Sequence, residues 1–470
     1  MNAKLRLAIA DSNLDLQTAD RIHHWHGFTQ MAEYEPHLID RAEGCWLYDP
    51  AGNRWLDGVS SLWCNIHGHR HPRIDQAIRD QLDRVAHVTN IGMGCTTTAR
   101  LAEKLAAIAP GDLNHVFFSS DGASAVEVAI KMALQYFRQR NEQPSTEKSR
   151  YLALGSAYHG DTVGTVSLGD IAHFHRLFDP LLFHPLRGPC PDTYRLPPEV
   201  TRETALDHYA SMFESLLHDH CHELAALVIE PLVQGAAGLI IHPAGLLRRL
   251  RGLCDQYDVL LIADEVATGF GRTGRMFACE HEDVVPDILC LGKGITGGYL
   301  PLAATIARKE IFDAFLGSRH ENRQFFHGHT YSGNPLAAAA SLASLEIFET
   351  EQVLEGLGAK ARQLSDELNP LRAHPYVGDI RQLGMMIGIE VVKERTTNYP
   401  FNPSQQVAMR ICREATRNGV WIRPLGDVIV LMPPLAISSD EITLLTQTVR
   451  EAIDTVLGNA AMLLNAESTP

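Results

Sequence analysis

Short apolar runs alternate with amphipathic stretches between about residues 76 and 345, and this alternation limits the fold more than any other feature of the sequence. The apolar runs are Val116–Phe118, Ala225–Ile229, Val259–Ala263 and Ile288–Leu291. They are continuous rather than alternating in polarity, as expected of strands that are buried on both faces. Helical patterns such as Ala123–Arg138 and Ala244–Tyr257 separate them. The pattern predicts an α/β fold with a mainly parallel central sheet flanked by helices.

The sequence has a different character on either side of this region. Before it, the turn residues Asp49–Asn53 separate two short strand patterns, Cys45–Tyr48 and Arg54–Asp57. After it, amphipathic helices mix with short strands such as Val428–Met432. We therefore predict three parts: an N-terminal segment, residues 1–75, that joins the small domain; a large α/β domain, residues 76–345; and a smaller α+β domain, residues 346–470.

The overall charge and the cysteine pattern exclude several classes of protein. The 470 residues carry a formal net charge of −15, which disfavours nucleic acid and anionic membranes as partners. The nine cysteines form no C-x-x-C pair, and no apolar run approaches the length of a membrane helix. The N-terminal residues Met1–Arg6 lack the pattern of a secretion signal. We expect a reduced, cytoplasmic protein with no metal.

Candidate site residues follow three of the predicted strands, where ligands bind in open α/β sheets. The small residues of Ser119–Ser124 follow the first strand and lead into a long helix, so backbone N–H groups of this segment could hold a phosphate; a simple N-capped helix is the alternative. Asp264 directly follows another strand, and Lys293 stands among glycines after the next. A lysine amine there is either exposed to solvent or a nucleophile that forms Schiff bases with pyridoxal phosphate, usually with an Asp on the pyridine nitrogen.

The segments Asp264–Gly274 and Leu291–Ile295 resemble the signature of the class III aminotransferases of fold type I. The resemblance extends from about residue 20 to 455. It implies a pyridoxal 5′-phosphate enzyme in which Lys293 carries the cofactor. The roles that it implies for the other cofactor residues are Asp264 on the pyridine nitrogen, Val266 and Tyr158 on the two faces of the ring, and Gly122 and Ala123 at the phosphate.

Further motifs resemble the branch of this class that acts on 8-amino-7-oxononanoate in biotin biosynthesis. They are Trp25–Gln30, Trp63–Gly68, Tyr158–Thr162, His327–Tyr331 and Arg423–Gly426. The resemblance implies that Arg423 binds the terminal carboxylate of the substrate, as suits a planar bidentate donor. The other implied substrate residues are Phe28, Leu62, Trp63, Asp161 and Gly328. His329 and Thr330 would lie at the cofactor, Thr330 by reaching the phosphate of the partner subunit in a homodimer.

Three positions depart from the common pattern of that branch and bear on the amino donor. Leu62 stands where a second tryptophan is typical, Phe28 replaces a tyrosine, and His329 replaces a proline. The common donor is S-adenosylmethionine, whose adenine ring is usually held by a flat aromatic face. We expect the donor to be S-adenosylmethionine or lysine. Because Leu62 removes one such face and all three departures resemble a lysine-using branch, these positions favour lysine.

Other interpretations of the same residues are weaker. Gly269–Gly274 formally satisfies the dinucleotide-binding glycine pattern, but five residues separate it from the strand and no helix pattern follows at once. The clusters His67–His71 and His218–His222 match no established metal motif. A non-catalytic relative would be expected to have lost Lys293 or Asp264. The main alternative is another class III transaminase, one that acts on an ω-amino acid with pyruvate or 2-oxoglutarate.

Overall fold

A central seven-stranded sheet organises the chain in the computed structural model, which describes residues 15–458. In spatial order its strands are Leu113–Ser119, Ala303–Arg308, Ile288–Leu291, Leu260–Asp264, Leu224–Ile229, Arg150–Leu154 and Leu186–Gly188. Only Ala303–Arg308 runs antiparallel to its neighbours. The prediction of an α/β fold with a mainly parallel sheet is confirmed.

The inner strands of the sheet are almost fully buried, because helices cover both faces, whereas the two edge strands are partly exposed. Along Leu224–Ile229, Leu227 and Ile229 pack into one core and Ala226 and Val228 into another, as the period of two requires. The longer helices of the chain are Leu16–His23, Pro72–Leu82, Thr96–Ile108, Gly122–Gln139, Ala205–His220, Leu246–Gln256, Pro335–Thr350, Val353–Leu368, Val407–Arg417 and Ser439–Leu457. No helix within residues 15–458 is both long and apolar enough to cross a membrane.

Two smaller sheets join the ends of the chain. The strands Val377–Leu383, Met386–Val391, Val428–Leu431 and Arg423–Leu425 form an antiparallel sheet. The strands Arg41–Glu43, Trp46–Tyr48 and Arg54–Asp57 form a meander that pairs in parallel with Val420–Trp421. The N-terminal segment is therefore bonded to the C-terminal region. The division at residues 75 and 345 stays a prediction, and the helix Pro335–Thr350 crosses the second boundary.

The connection at residues 188–203 carries Pro189, Pro191, Pro197 and Pro198, a composition that predicts a loop on the surface, but much of it is partly buried. Pro191 is buried, and the Tyr194 hydroxyl donates to the side-chain oxygen of Asn398 over 2.8 Å. Arg195 forms an ion pair with the buried Glu390 of the C-terminal sheet. The connection therefore links the large sheet to the C-terminal sheet. Met1–Arg6 and the residues after 458 lie outside the described part of the chain.

Candidate active site

Lys293 lies in a buried turn at the carboxyl edge of the central sheet. The strand Ile288–Leu291 ends two residues earlier, and Lys293 begins a short 3-10 helix with a φ of 42°. A positive φ is uncommon for a residue with a side chain, and such strain collects at functional sites. Its amine lies 5.2 Å from the ring centroid of Trp63. Lys293 is partly buried and its amine faces Trp63, which argues against the solvent-facing alternative.

The surroundings of Lys293 favour a neutral amine. Burial is the main cause that lowers its pKa below the ordinary value, while Asp264 and Glu230 oppose the shift. Arg272 adds to the lowering, because a second buried cation disfavours protonation of Lys293. The Arg272 guanidinium donates to the carbonyl oxygens of Pro433 and Asn65, each over 2.7 Å. A neutral amine is the form that can act as a nucleophile or a base.

Asp264 is the last residue of the strand Leu260–Asp264. This strand pairs in parallel with Ile288–Leu291, the strand that precedes Lys293, and Asp264 lies opposite Cys290. Its carboxylate accepts a hydrogen bond from the Nδ1 atom of His159 over 2.8 Å and another from the backbone N–H of Val266 over 3.1 Å. His159 is fully buried, and its Nε2 atom has no hydrogen-bond partner within residues 15–458. A buried carboxylate oriented in this way can stabilise a protonated ring nitrogen.

Trp63 is held over Lys293 by a strained segment of backbone. Ser60, Ser61 and Trp63 have φ values of 53°, 62° and 65°. The carboxylate of the buried Asp57 accepts the N–H of Ser61 over 2.7 Å, and the Ser60 hydroxyl donates to the carbonyl of Met432 over 2.7 Å. These bonds offset the cost of the positive φ angles, which is of order 1–3 kcal/mol per residue.

The N-terminus of the helix Gly122–Gln139 forms the other wall of the site. Asp121 caps the helix, because its side chain and carbonyl accept the N–H groups of Ser124 and Ala125. The N–H groups of Gly122 and Ala123 have no bond to any described residue. A Cβ atom added at Gly122 would lie 2.6 Å from Val266, so only glycine fits here. The helix is both N-capped and open to an anion, so the two interpretations of this segment are compatible.

Tyr158 and Glu230 close the site on its remaining side. The Tyr158 hydroxyl donates to Asp161 over 2.7 Å, and its backbone N–H donates to Glu230 over 3.1 Å. Glu230 also accepts the N–H of Gly235 over 2.8 Å, and burial raises the pKa of this carboxyl to about 7. A Cβ atom added at Gly235 would lie 3.3 Å from the Trp63 ring. Glu230 therefore fixes both the tyrosine and the surface on which Trp63 packs.

Arg423 is an exposed residue of the C-terminal sheet, opposite Val430 in the antiparallel register. Residues opposite each other share a face of the sheet, and Val430 packs in one apolar cluster with Trp63 and Leu425. Arg423 thus lies on the same face as residues that pack against Trp63. Within the described part of the chain its side chain has no ion pair or hydrogen bond.

Several residues predicted for the site are not brought to Lys293 by any contact within the described chain. Gly328 and Thr330 are exposed in a loop, and the backbone of His329 donates to Ser332. Phe28 is 63% exposed and Leu62 is 50% exposed. Phe28 does pack edge-on against Phe174, with ring centroids 5.2 Å apart, and Phe174 in turn contacts the ring of Tyr158. The roles of these residues stay predictions.

The chain matches the family model of the class-III aminotransferases over residues 29–453. It is 54% identical over 449 residues to an adenosylmethionine-8-amino-7-oxononanoate aminotransferase of Nitratidesulfovibrio vulgaris, which covers 95% of this chain and 83% of the relative. An aminotransferase of the same name from Geobacter sulfurreducens is 48% identical, with 94% and 98% covered. The chain is a class III aminotransferase.

Solved structures agree with this assignment. The structure of the adenosylmethionine-8-amino-7-oxononanoate aminotransferase of Methanocaldococcus jannaschii superimposes with a TM-score of 0.89 at 42% identity, covering 94% of this chain and 99% of the other. An (S)-enantioselective omega-transaminase of Thermomicrobium roseum gives 0.88 at 34% identity, with 97% and 99% covered. The predicted class and fold type I are confirmed, and this aminotransferase uses pyridoxal 5′-phosphate.

The residues present fit that cofactor. The buried amine of Lys293, the oriented carboxylate of Asp264 and the open N–H groups of Gly122 and Ala123 supply the three kinds of group that it needs. Val266 packs against Gly122 and Gly292, between the helix N-terminus and the lysine turn. The contact of Val266 with the cofactor ring stays a prediction.

Three buried residues of the site were not singled out by sequence reasoning: His159, Glu230 and Arg272. His159 and Arg272 stand inside quoted motifs, but a motif does not say which member is buried against which. Glu230 follows the strand Leu224–Ile229, so its place at a strand end was a usable signal. The histidines of the first cluster have separate partners, since His67 contacts Ser344 and His69 contacts Asp57.

Proposed function

We propose that this aminotransferase transfers an amino group to 8-amino-7-oxononanoate and forms 7,8-diaminononanoate in biotin biosynthesis. The observation that carries the proposal is the position of Arg423. It offers an unpaired guanidinium on the sheet face that packs against Trp63, and Trp63 lies over Lys293. A substrate with its ketone at Lys293 and a carboxylate at the other end would meet both groups. The names of the relatives agree with this substrate.

The chemistry follows from the groups in place. When bound, pyridoxal phosphate supplies an aldehyde that captures the substrate amine and a ring that accepts the electron pair of the deprotonated carbon. The neutral Lys293 amine removes the proton from the donor carbon and later returns a proton to the acceptor carbon. Asp264, oriented by His159, would keep a positive charge on the ring nitrogen of the bound cofactor. Trp63, Tyr158 and Val266 would exclude water and hold that ring. One pocket that serves donor and acceptor in turn implies ping-pong kinetics.

Arg423→Ala is expected to raise the KM for 8-amino-7-oxononanoate with little effect on the half-reaction with the donor. Bound substrate would desolvate the pair formed by its carboxylate and the Arg423 guanidinium. Loss of one partner of such a pair costs about 2–5 kcal/mol, which is roughly 30-fold or more in affinity. Single-turnover measurements of the two half-reactions test this. Arg410→Ala, at an exposed arginine of the helix Val407–Arg417, is the matched control. Equal loss in both half-reactions would show that Arg423 supports the fold instead.

We propose lysine as the amino donor, from the departures at Leu62, Phe28 and His329, whereas the relatives' names contain adenosylmethionine. Leu62 is half exposed beside the buried Trp63, so no second indole is available there to stack on an adenine ring. Lysine should bleach the yellow absorbance of the holoenzyme in the absence of acceptor. Bleaching by S-adenosylmethionine alone would refute the donor and leave the enzyme class intact. Bleaching by an ω-amino acid, with turnover of pyruvate or 2-oxoglutarate, would favour the alternative transaminase.

We further propose a cytoplasmic homodimer in which Thr330 of one subunit reaches the phosphate site of the other. Its loop exposes large apolar side chains, since Phe326 is 70% exposed and Tyr331 is 64% exposed. Ile91, 65% exposed, lies beside Gly328. Exposed apolar side chains gathered in this way are typical of a surface that a partner covers.

Mixing Lys293→Ala chains with Thr330→Ala chains under conditions that reassort subunits should restore activity. Each mixed dimer would contain one intact site, so an equal mixture should reach about one quarter of the wild-type activity above that of the separate variants. Activity assays before and after reassortment measure this. The dimer proposal fails if the active protein sediments as a monomer, and the shared-site proposal fails if mixing restores nothing.

A further inference from the structure

A second cavity, separate from the site around Lys293, has a volume of about 800 Å³. It lies between segments that connect strands of the central sheet and the C-terminal region of the chain. One wall comes from the proline-rich connection, the start of the helix Ala205–His220 and the chain after the strand Ile240–Ile241. The other wall comes from the helix Val353–Leu368, the 3-10 helix Asn369–Ala373 and the strand Val377–Leu383. None of its lining residues is among those described above around Lys293. Its volume is within the usual range for small-molecule sites.

Arginines on the C-terminal wall give this cavity a positive charge that the described chain does not neutralise. Arg381 is balanced, because it forms ion pairs with Glu390 over 2.6 Å and with Asp379 over 3.5 Å. Arg362 and Arg372 have no acidic partner within residues 15–458, and Arg372 donates instead to the carbonyl of Ile380 over 2.6 Å. In a chain of net charge −15, two unpaired guanidinium groups that line one concave surface form a local site for anions.

The opposite wall adds no compensating charge. Arg202 stands next to Glu203, so their charges cancel. His242 is buried, and burial alone lowers its pKa to about 3, which keeps it neutral at physiological pH. Thr193 on this side is uncharged, and the remaining lining residues, such as Leu206 and Pro243, are apolar. The cavity thus combines a neutral, partly apolar wall with a cationic one.

We propose that this cavity binds a small polyanion, with two or more phosphoryl or carboxylate groups, through Arg362 and Arg372. Guanidinium groups bind such oxyanions with two parallel hydrogen bonds each. An occupant would touch both walls of the cavity and would therefore stabilise the folded protein by mass action. The proposal concerns a site separate from Lys293 and does not rest on the substrate proposed above.

Isothermal titration calorimetry of the holoenzyme at low ionic strength, with pyrophosphate and with citrate as the two probes, tests this site. Keeping the cofactor bound prevents either probe from entering its phosphate site. We expect one probe to bind once per chain, and Arg362→Gln combined with Arg372→Gln to weaken binding at least about tenfold. Arg319→Gln, at an exposed arginine outside the cavity, and Arg423→Ala should leave it unchanged. A preference for pyrophosphate would indicate a phosphorylated ligand, and a preference for citrate a polycarboxylate.

The arginines involved are exposed, so the double variant should keep its fold, and its thermal unfolding and cofactor absorbance verify this. Binding should also weaken as salt is added, because the attraction is between charges that are accessible to solvent. The proposal is overturned if neither probe binds, if the double variant binds as tightly as the wild type, or if Arg423→Ala abolishes binding, which would place the anion at the active site.

Discussion

Lys293→Ala is expected to abolish turnover, with a loss of at least about 10⁴-fold, since the variant lacks the residue proposed as both the covalent attachment point and the base. The buried amine beside Trp63 is the group on which every proton transfer of the proposed mechanism depends. Steady-state assays measure the loss. Borohydride reduction of the wild-type holoenzyme, followed by peptide mapping, should place the cofactor on Lys293.

Lys148 provides the control for this experiment. It is also a buried lysine, but its amine donates to the carbonyl of Cys221 over 2.9 Å and forms an ion pair with Asp258. It should therefore remain unlabelled. A labelled peptide from any lysine other than Lys293 would contradict the assignment of the site. Because alanine at position 293 leaves Asp264 and the helix N-terminus intact, the variant should still bind the cofactor without a covalent bond.

Asp264→Asn is expected to lower kcat by about 10³-fold, as when a preorganised electrostatic group is removed from a transition state. The amide has nearly the shape of the carboxylate but no charge, so the ring nitrogen would lose the group that keeps it protonated. Stopped-flow absorbance of the donor half-reaction measures the proton-transfer step directly.

Asp264→Glu and His159→Asn separate charge from position in the same measurement. Glu keeps the negative charge but displaces it, and Asn at position 159 removes the partner that orients Asp264 over 2.8 Å. We expect both variants to retain more activity than Asp264→Asn. If Asp264→Asn transfers protons at the wild-type rate, Asp264 has only a structural role, such as holding the N–H of Val266.

The sheet was predictable from the sequence because several of its strands are short, continuous apolar runs. Ile288–Leu291 is bounded as the apolar run indicated, and the run Ala225–Ile229 is extended by only one residue. Since strand ends fix where ligands bind, the apolar runs alone were enough to place Asp264 and Lys293 at one edge of the sheet. Their roles, however, came from the family signature rather than from periodicity.

The rest depended on contacts between residues distant in sequence. The hydrogen bond between His159 and Asp264 joins positions 105 residues apart, and no local sequence pattern predicts it. The proline-rich connection was expected on the surface because its composition is typical of loops, yet the ion pair of Arg195 with Glu390 draws it against the C-terminal sheet. The two unpaired arginines of the second cavity also come together only in the folded chain.

The strained segment around Trp63 has a consequence for how the substrate range of this scaffold can change. The backbone is left-handed at Ser60, Ser61 and Trp63. Most residues with a side chain avoid positive φ angles, so substitutions at these three positions are expected to disturb the local backbone. Leu62, between them, has a φ of −145° and a half-exposed side chain. It can therefore vary in size and shape without disturbing its neighbours. Residue 62 is therefore a position at which selection for a new donor, in nature or in the laboratory, can act without altering the strained backbone on either side.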